Sequence, residues 1–351
     1  MMFTAAGMYK YAFMLGIVVI VGFFGNKLKS YVEGESDEYD LIRKYLLNDS
    51  PMYGYNRPKL WIHSKYELNA RKWKSFHSRS STDLNQPYLH SAIKTIINHC
   101  GQDFNICLID DESFSKLIPE WDINVATLAE PMRTNIRELA MIKLLYIYGG
   151  MVVPNSFICC KNLKELYELE TGDGRLFIGE SVNRTENMIG PSRAKKLFVP
   201  NTYFMGAKKE NPILYQCMEY LRVRNLKPHY AADMEFLGDT SVWFETRIDA
   251  QTVNLVDGQL IGVKTKDRKP ILLEDIMEEG FLNTVPEMVG IYIPADEVLN
   301  RTKYQWFAVI STTELLNSNL AVVKYLKASI VDTNSDYSKR NPSEIKSVLA
   351  I

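Results

Sequence analysis

The 351-residue chain has almost no net charge: 41 basic residues against 42 acidic ones leave −1 at neutral pH. Its basic residues are dispersed rather than striped along one face, which removes the electrostatic footprint of a nucleic-acid partner. Histidine and cysteine are scarce, with five of each. Cys100, Cys107, Cys159, Cys160 and Cys217 show no metal-ligand spacing and cannot all pair within the chain, so they read as ordinary buried thiols. Internal repeats and low-complexity tracts are absent too. What is present is a 46% apolar fraction, ample for a sizeable core, in a length that allows one large α/β domain with appendages.

The one long apolar run is Tyr11 to Gly25 (YAFMLGIVVIVGFFG), which Met2 to Tyr9 extends across Lys10, a residue able to snorkel toward headgroups. No small-x-small cleavage site followed by a mature start is obvious after Phe24, so the run reads as a retained signal anchor rather than a cleaved signal peptide. This predicts a single-pass membrane protein, with a membrane as its first partner. Basic residues on both sides of the span, Lys10 and then Lys27 and Lys29, leave its orientation open. The domain plan is an anchor over 1–29, a charged and turn-rich stalk over 30–57, a globular domain over 58–332 and a polar tail over 333–351.

Within the globular part, strand and helix patterns alternate. Lys59–His63 reads as a first strand and Leu84–Cys100 as a helix with Pro87 near its first turn. Phe104–Ile109 reads as a second strand, ending in Asp110-Asp111. Leu139, Ile142, Leu145 and Tyr146 then recur at helical spacing, Gly149-Gly150 break the helix, and Met151-Val152-Val153 suit a buried strand. Further on, Asp233–Asp239 and Trp243-Phe244 read as a loop and short element. Asn254–Lys264 reads as a hairpin around Asp257-Gly258, Asp296–Tyr304 and Thr313–Leu326 as helices, and the chain after Asp332 as a loose tail.

The segment Glu138–Leu163 (ELAMIKLLYIYGGMVVPNSFICCKNL) resembles the sugar-binding region of GT-A glycosyltransferases of the initiation-mannosyltransferase and capsular-polysaccharide type. There a helix leads to Tyr-Gly-Gly, a strand and Asp-x-Asp. Tyr148-Gly149-Gly150 match. Asn201-Thr-Tyr-Phe-Met-Gly-Ala followed by Asn211-Pro212-Ile-Leu is similar to that family's later strand and helix, so the resemblance covers roughly residues 58 to 225. It implies a Rossmann-like open mixed sheet flanked by helices, and a divalent cation held on a sugar-nucleotide diphosphate by the paired carboxylates, because a hard cation takes anionic oxygen ligands. In this chain Pro154, Asn155 and Ser156 occupy the Asp-x-Asp positions, Arg137-Glu138 stand in place of the family's Ser-Asp, and Met141 replaces its Arg. Neutral oxygens bind manganese or magnesium far more weakly than a carboxylate pair.

The expected function follows from that replacement: a membrane-anchored, glycosyltransferase-like protein without metal ligands, serving as a binding or structural protein. An anchor before a degenerate transferase domain is also similar to proteins of large DNA viruses, which implies a host endomembrane or virion membrane and other structural proteins as partners. The alternative is an active enzyme that moves a hexose from a nucleotide-sugar to a glycan or protein. It would be metal-free, or hold manganese or magnesium on ligands outside the motif. The candidate substrate-binding residues are Asp110, Asp111, Glu138, Gly149, Gly150, Asn155, Ser156 and Asn201, with Asp233 and Glu235 as the acceptor-side catalytic pair; no metal ligand is assigned. The competing reading of Asp110 and Asp111 is a helix N-cap before Ser113, and that of Glu138 is a first-turn residue favouring the helix dipole. In a metal-free site Arg133, Arg137 or Lys161 would take over the cation's role.

Overall fold

Lys59–His63 (β1) is a buried strand between two parallel neighbours, Asn105–Ile109 (β2) and Gly150–Val152 (β3). Such a strand needs both faces apolar, and Leu60, Trp61 and Ile62 are almost completely covered. The structure, a computed structural model, describes residues 57–65, 86–130, 132–183, 196–226 and 233–337, with backbone alone for 233–239 and 331–337. The predicted anchor, nearly all of the predicted stalk, and the tail beyond residue 337 lie outside these. Among the described residues no helix is long and apolar enough to cross a membrane.

Between β1 and β3 run the helices Pro87–Cys100 (α1), Ser113–Leu117 (α2) and Met132–Tyr148 (α3). Helix α1 opens on a proline, whose missing N–H costs nothing in a first turn, and buries Leu89, Ile93 and Ile96 at helical spacing. After β3 come Phe157–Cys159 (β4), Lys164–Thr171 (α4), Leu176–Val182 (β5), Phe198–Ala207 (β6), Pro212–Leu226 (α5), Asp233–Asp249 (α6) and Val253–Val256 (β7). The main sheet has six strands in the order β2-β1-β3-β6-β5-β7. Strand β6 is antiparallel to both β3 and β5, and β7 is parallel to β5. The carboxyl ends of β1, β2, β3, β5 and β7 therefore share one edge of the sheet with the amino end of β6.

Trp61, Val152, Ile178 and Met205 face one side of this sheet and join an apolar cluster with Leu139, Ile142 and Leu145 of α3 and Leu214 and Leu221 of α5. By strand alternation Phe177 and Phe204 face the other side, where Tyr167 of α4 and Phe157 of β4 meet their rings. The result is an open mixed sheet flanked by helices, as expected. A second apolar cluster is built by Leu273–Met277 (α7), Gly290–Tyr292 (β8), Ala295–Asn300 (α8), Gln305–Val309 (α9), Thr312–Asn317 (α10) and Ala321–Tyr337 (α11), together with α1 and β4. Strand β8 pairs antiparallel with β4.

The later part of the chain departs from the sequence reading in four places. Asp233–Asp239 is no loop: it is the opening of helix α6, which runs on through Trp243-Phe244 to Asp249. Only Val253–Val256 of the expected hairpin is a strand, and it joins the main sheet parallel to β5 rather than pairing with its own return. Thr313–Leu326 is two helices, α10 ending at Asn317 and α11 starting at Ala321. Asp332 is not the end of order, since α11 continues to Tyr337. Tertiary burial decides these outcomes where local pattern is weak.

Candidate binding cleft at the carboxyl edge of the sheet

In open α/β sheets ligands sit outside the carboxyl ends of the strands, so the edge holding His63, Asp110-Asp111 and Pro154–Ser156 is the place to look. Its outer part, beyond β1 and β2, is braced by side-chain contacts. Asp110 Oδ1 accepts from the Ser113 backbone N–H at 2.9 Å and from its hydroxyl at 2.7 Å, the cap geometry of a helix start. Asp111 accepts a two-pronged bond from Arg137, Nε to Oδ1 at 2.9 Å and Nη2 to Oδ2 at 2.6 Å, and lies 3.0 Å from His63 Nε2. The His63 and Arg137 hydrogen bonds outweigh burial and hold the Asp111 carboxyl down at about 2. His63 is stacked on Phe114, with ring centroids 5.2 Å apart. This network ties helix α3 to the ends of β1 and β2.

Glu138, one residue after Arg137, turns into the interior. Its Oε1 accepts from the Thr202 hydroxyl at 2.7 Å, while Oε2 is buried with no hydrogen-bond partner among the described residues. Desolvation raises its pKa to about 7, against an ordinary value of 4.5. Gly149 and Gly150 belong to the opposite end of β3, at its amino terminus. Gly150 has φ +100°, and a Cβ there would stand 2.0 Å from the Lys59 carbonyl oxygen. The pair thus permits a sharp helix-to-strand turn and close strand packing, away from the ligand edge.

Beyond β3 the edge opens. A shallow cleft is walled by Pro154, Phe157, Tyr203, Phe204 and Tyr292, with Phe157 and Phe204 almost wholly buried behind it. Its polar lining is Glu180, Ser181 and Asn201. The cause is an irregularity in the β5–β6 ladder, whose pairing jumps from Ile178–Met205 to Gly179–Asn201. Thr202, Tyr203 and Phe204 therefore stand opposite no residue of β5, and the bulge turns consecutive aromatic side chains toward the edge. Gly179 makes room, since a Cβ there would lie 3.1 Å from both Phe204 Cβ and Ile261 Cδ1.

Glu180 is the single charged side chain lining this cleft. Its Oε2 accepts from the Gly258 backbone N–H at 2.9 Å and is paired with the Lys264 ammonium. Lys264 lies 3.6 Å from Asp257 Oδ1 and 4.4 Å from the Phe198 ring centroid. Asn201 donates to Ser181 Oγ at 3.2 Å and accepts from the Tyr203 N–H at 2.9 Å.

Of the residues singled out in the sequence, Asn201 lines the cleft, and Pro154 forms part of its wall. Ser156 is 1% exposed and its hydroxyl donates to the Ile293 carbonyl at 2.7 Å; Asn155 is 8% exposed. Asp233 and Glu235 lie in the first turn of α6, and their side chains are outside the described ones. The divalent cation implied by the family resemblance does not fit here: proline offers it no side-chain oxygen and the serine hydroxyl is spent on a carbonyl. Among the described residues no group of three or more His, Cys, Asp or Glu converges to hold a metal. Sequence reasoning missed Glu180, Ser181, Tyr203 and Lys264, although the adjacent aromatics Tyr203-Phe204 break strand alternation as a bulge does.

No protein-family model matches the chain, and no curated protein does. Among solved structures it is similar to the apo form of the glycosyltransferase GlyE of Streptococcus pneumoniae TIGR4, at 13% identity over 81% of this chain, with a TM-score of 0.39. The chain spans 64% of that structure's length. It is also similar to the galactosyltransferase LgtC in complex with donor and acceptor sugar analogues, at 12% identity over 83% of this chain and 99% of that one, with a TM-score of 0.37. Overlap this loose extends to outline alone.

Proposed function

We propose that this chain is a glycosyltransferase-like protein of the GT-A type whose sheet edge binds a sugar or nucleotide-sugar without a metal, in a binding or structural role rather than in transfer. The carrying observation is the fate of the Asp-x-Asp positions: Pro154 is an apolar wall of the cleft, and the Ser156 hydroxyl is buried against the Ile293 carbonyl. The anchor expected over residues 1–29 would hold this domain on a membrane, of a host cell or a virus particle, where other structural proteins could meet it.

The alternative, an active transferase drawing on Asp110, Asp111 and Glu138, would have to dismantle existing contacts. Asp110 caps a helix, Asp111 holds Arg137 and His63, and Glu138 is enclosed beside Thr202. Isothermal titration of the full chain against UDP- and GDP-sugars, first with manganese and then with chelator, tests the proposal. Heats that are the same in both conditions, or absent in both, are expected. Binding that appears with manganese and vanishes with chelator would overturn it.

A further inference from the structure

We infer that Cys100 and Cys159 close into a disulfide when the chain folds in the presence of a small oxidised disulfide such as glutathione disulfide, and that this bond staples the end of α1 to β4.

The two thiols are already in contact, with Sγ 3.8 Å from Sγ across 59 residues of sequence. Both residues are wholly buried. A disulfide holds its sulfurs about 2.05 Å apart, so each sulfur has to advance by only about 0.9 Å. The backbone that presents them is fixed by other bonds. The Cys159 N–H donates to Thr95 Oγ1 of α1 at 2.8 Å, and the Ser329 hydroxyl of α11 donates to the Cys159 carbonyl. Both backbone polar groups of Cys159 are thus held, and its side chain is delivered to Cys100, the last residue of α1.

The remaining cysteines are placed elsewhere. Cys160, next along the chain, packs at the edge of the second apolar cluster. Cys107 is on β2, and Cys217 is on α5 within the first cluster.

The chemistry is two successive exchanges. One thiol loses its proton to water and attacks glutathione disulfide, which gives a mixed disulfide and one glutathione thiolate. The second thiol, deprotonated in turn, attacks the protein sulfur of that mixed disulfide. The Cys100–Cys159 bond forms and the other glutathione thiolate leaves, each thiolate then taking up a proton. Two electrons and two protons pass from the protein to glutathione disulfide, which becomes two glutathione molecules. Burial disfavours the thiolate in the finished fold and pushes the Cys159 thiol well above its ordinary value, with Cys100 adding to the effect. Exchange therefore belongs to folding, before α1 and β4 close over the pair.

The bond gives up one weak contact, from the Cys159 thiol to the Lys161 carbonyl at 3.0 Å. It gains a tether for a strand that has few. Strand β4 has three residues, belongs to a two-stranded sheet with β8, and carries Phe157 of the cleft wall. Where glutathione is kept reduced, the same pair stays as two thiols, and both react once the chain is unfolded.

Cell-free synthesis of the full chain in detergent, once with glutathione disulfide and once with reductant, tests this. Each product is alkylated in guanidinium and mapped by mass spectrometry. From the oxidising synthesis, the Cys100 and Cys159 peptides should appear joined and two hydrogens lighter, with Cys107, Cys160 and Cys217 alkylated. From the reducing synthesis all five should be alkylated. The thermal midpoint of the oxidised product should fall by about 5–10 °C on adding reductant, as loss of a long-loop disulfide in a domain of this size does. Cys100→Ala should show no such fall. Five alkylated cysteines after oxidising synthesis, or Cys159 joined to a different cysteine, in a product with a cooperative thermal transition, would overturn the inference. A joined peptide with a midpoint indifferent to reductant would overturn the staple.

Discussion

Two stretches of the same sheet edge each carry a carboxylate, and their partners give them opposite characters. Beyond β1 and β2, Asp111 is gripped by both prongs of Arg137 and by His63, and no polar atom of it is left for a ligand. Beyond β5, Glu180 has its contacts on one oxygen only, Oε2, which takes the Gly258 N–H and the Lys264 ammonium, and the residue lines a shallow cleft. Position at the carboxyl edge thus nominates a residue, and the partners around it decide whether it braces the fold or meets a ligand.

The sharpest way to break this contrast is to remove the grip on Asp111. Arg137→Ala leaves the Asp111 carboxylate with His63 as its remaining side-chain partner and should cost about 3 kcal/mol of stability, read as a lower urea midpoint. A loss near zero would mean that the network is not a brace. Glu180→Gln keeps the shape and the Gly258 contact and leaves the Lys264 ammonium with Asp257 at 3.6 Å, so the midpoint should fall too, by less than for Arg137→Ala.

The interior carboxylate comes next. Glu138 has its folded pKa raised from 4.5 to about 7, so the unfolded chain releases this proton first as pH rises. Its effect is absent below pH 4.5, grows as destabilisation between 4.5 and 7, and is constant above, reaching roughly 3 kcal/mol. Glu138→Gln should match the parent at pH 4.5 and exceed it in thermal midpoint at pH 8. An equal pH dependence in the two proteins would contradict the assignment.

Asp110→Ala should cost only about 1 kcal/mol, as loss of a helix cap does, and should leave ligand binding unchanged. A loss of binding with the fold intact would return Asp110 to the site. The smallest expected signal is chemical. Burial pushes the Cys107 and Cys160 thiols up to about 11 and Cys159 well above the ordinary thiol value. All three should resist iodoacetamide in the folded chain and react in guanidinium.

Much of this fold was legible in the sequence wherever burial imposes a pattern. Lys59–His63, the helix ending at Cys100 and the Tyr-Gly-Gly turn stand where periodicity and turn chemistry put them, and the helix at Pro212 where the family resemblance implies it. The site was legible in part. Asn201 and Pro154, both named from the sequence, line the cleft; Glu180 and Lys264 carry no local mark, because they meet only through the β5–β6 bulge and the loop after β7. Gly149 and Gly150 carried a signal of the right strength but of backbone origin. Asp233 and Glu235 stand in the first turn of α6, in a stretch whose sequence pattern reads as a loop.

The most direct test of the central claim is an electron-paramagnetic-resonance titration of manganese with the full chain, alone and with UDP- or GDP-sugars. A free-manganese signal no lower than in the matching protein-free control is predicted in every case. A stoichiometric loss of signal on adding a nucleotide-sugar would show that other ligands rebuild a metal site at this edge, and would contradict the account.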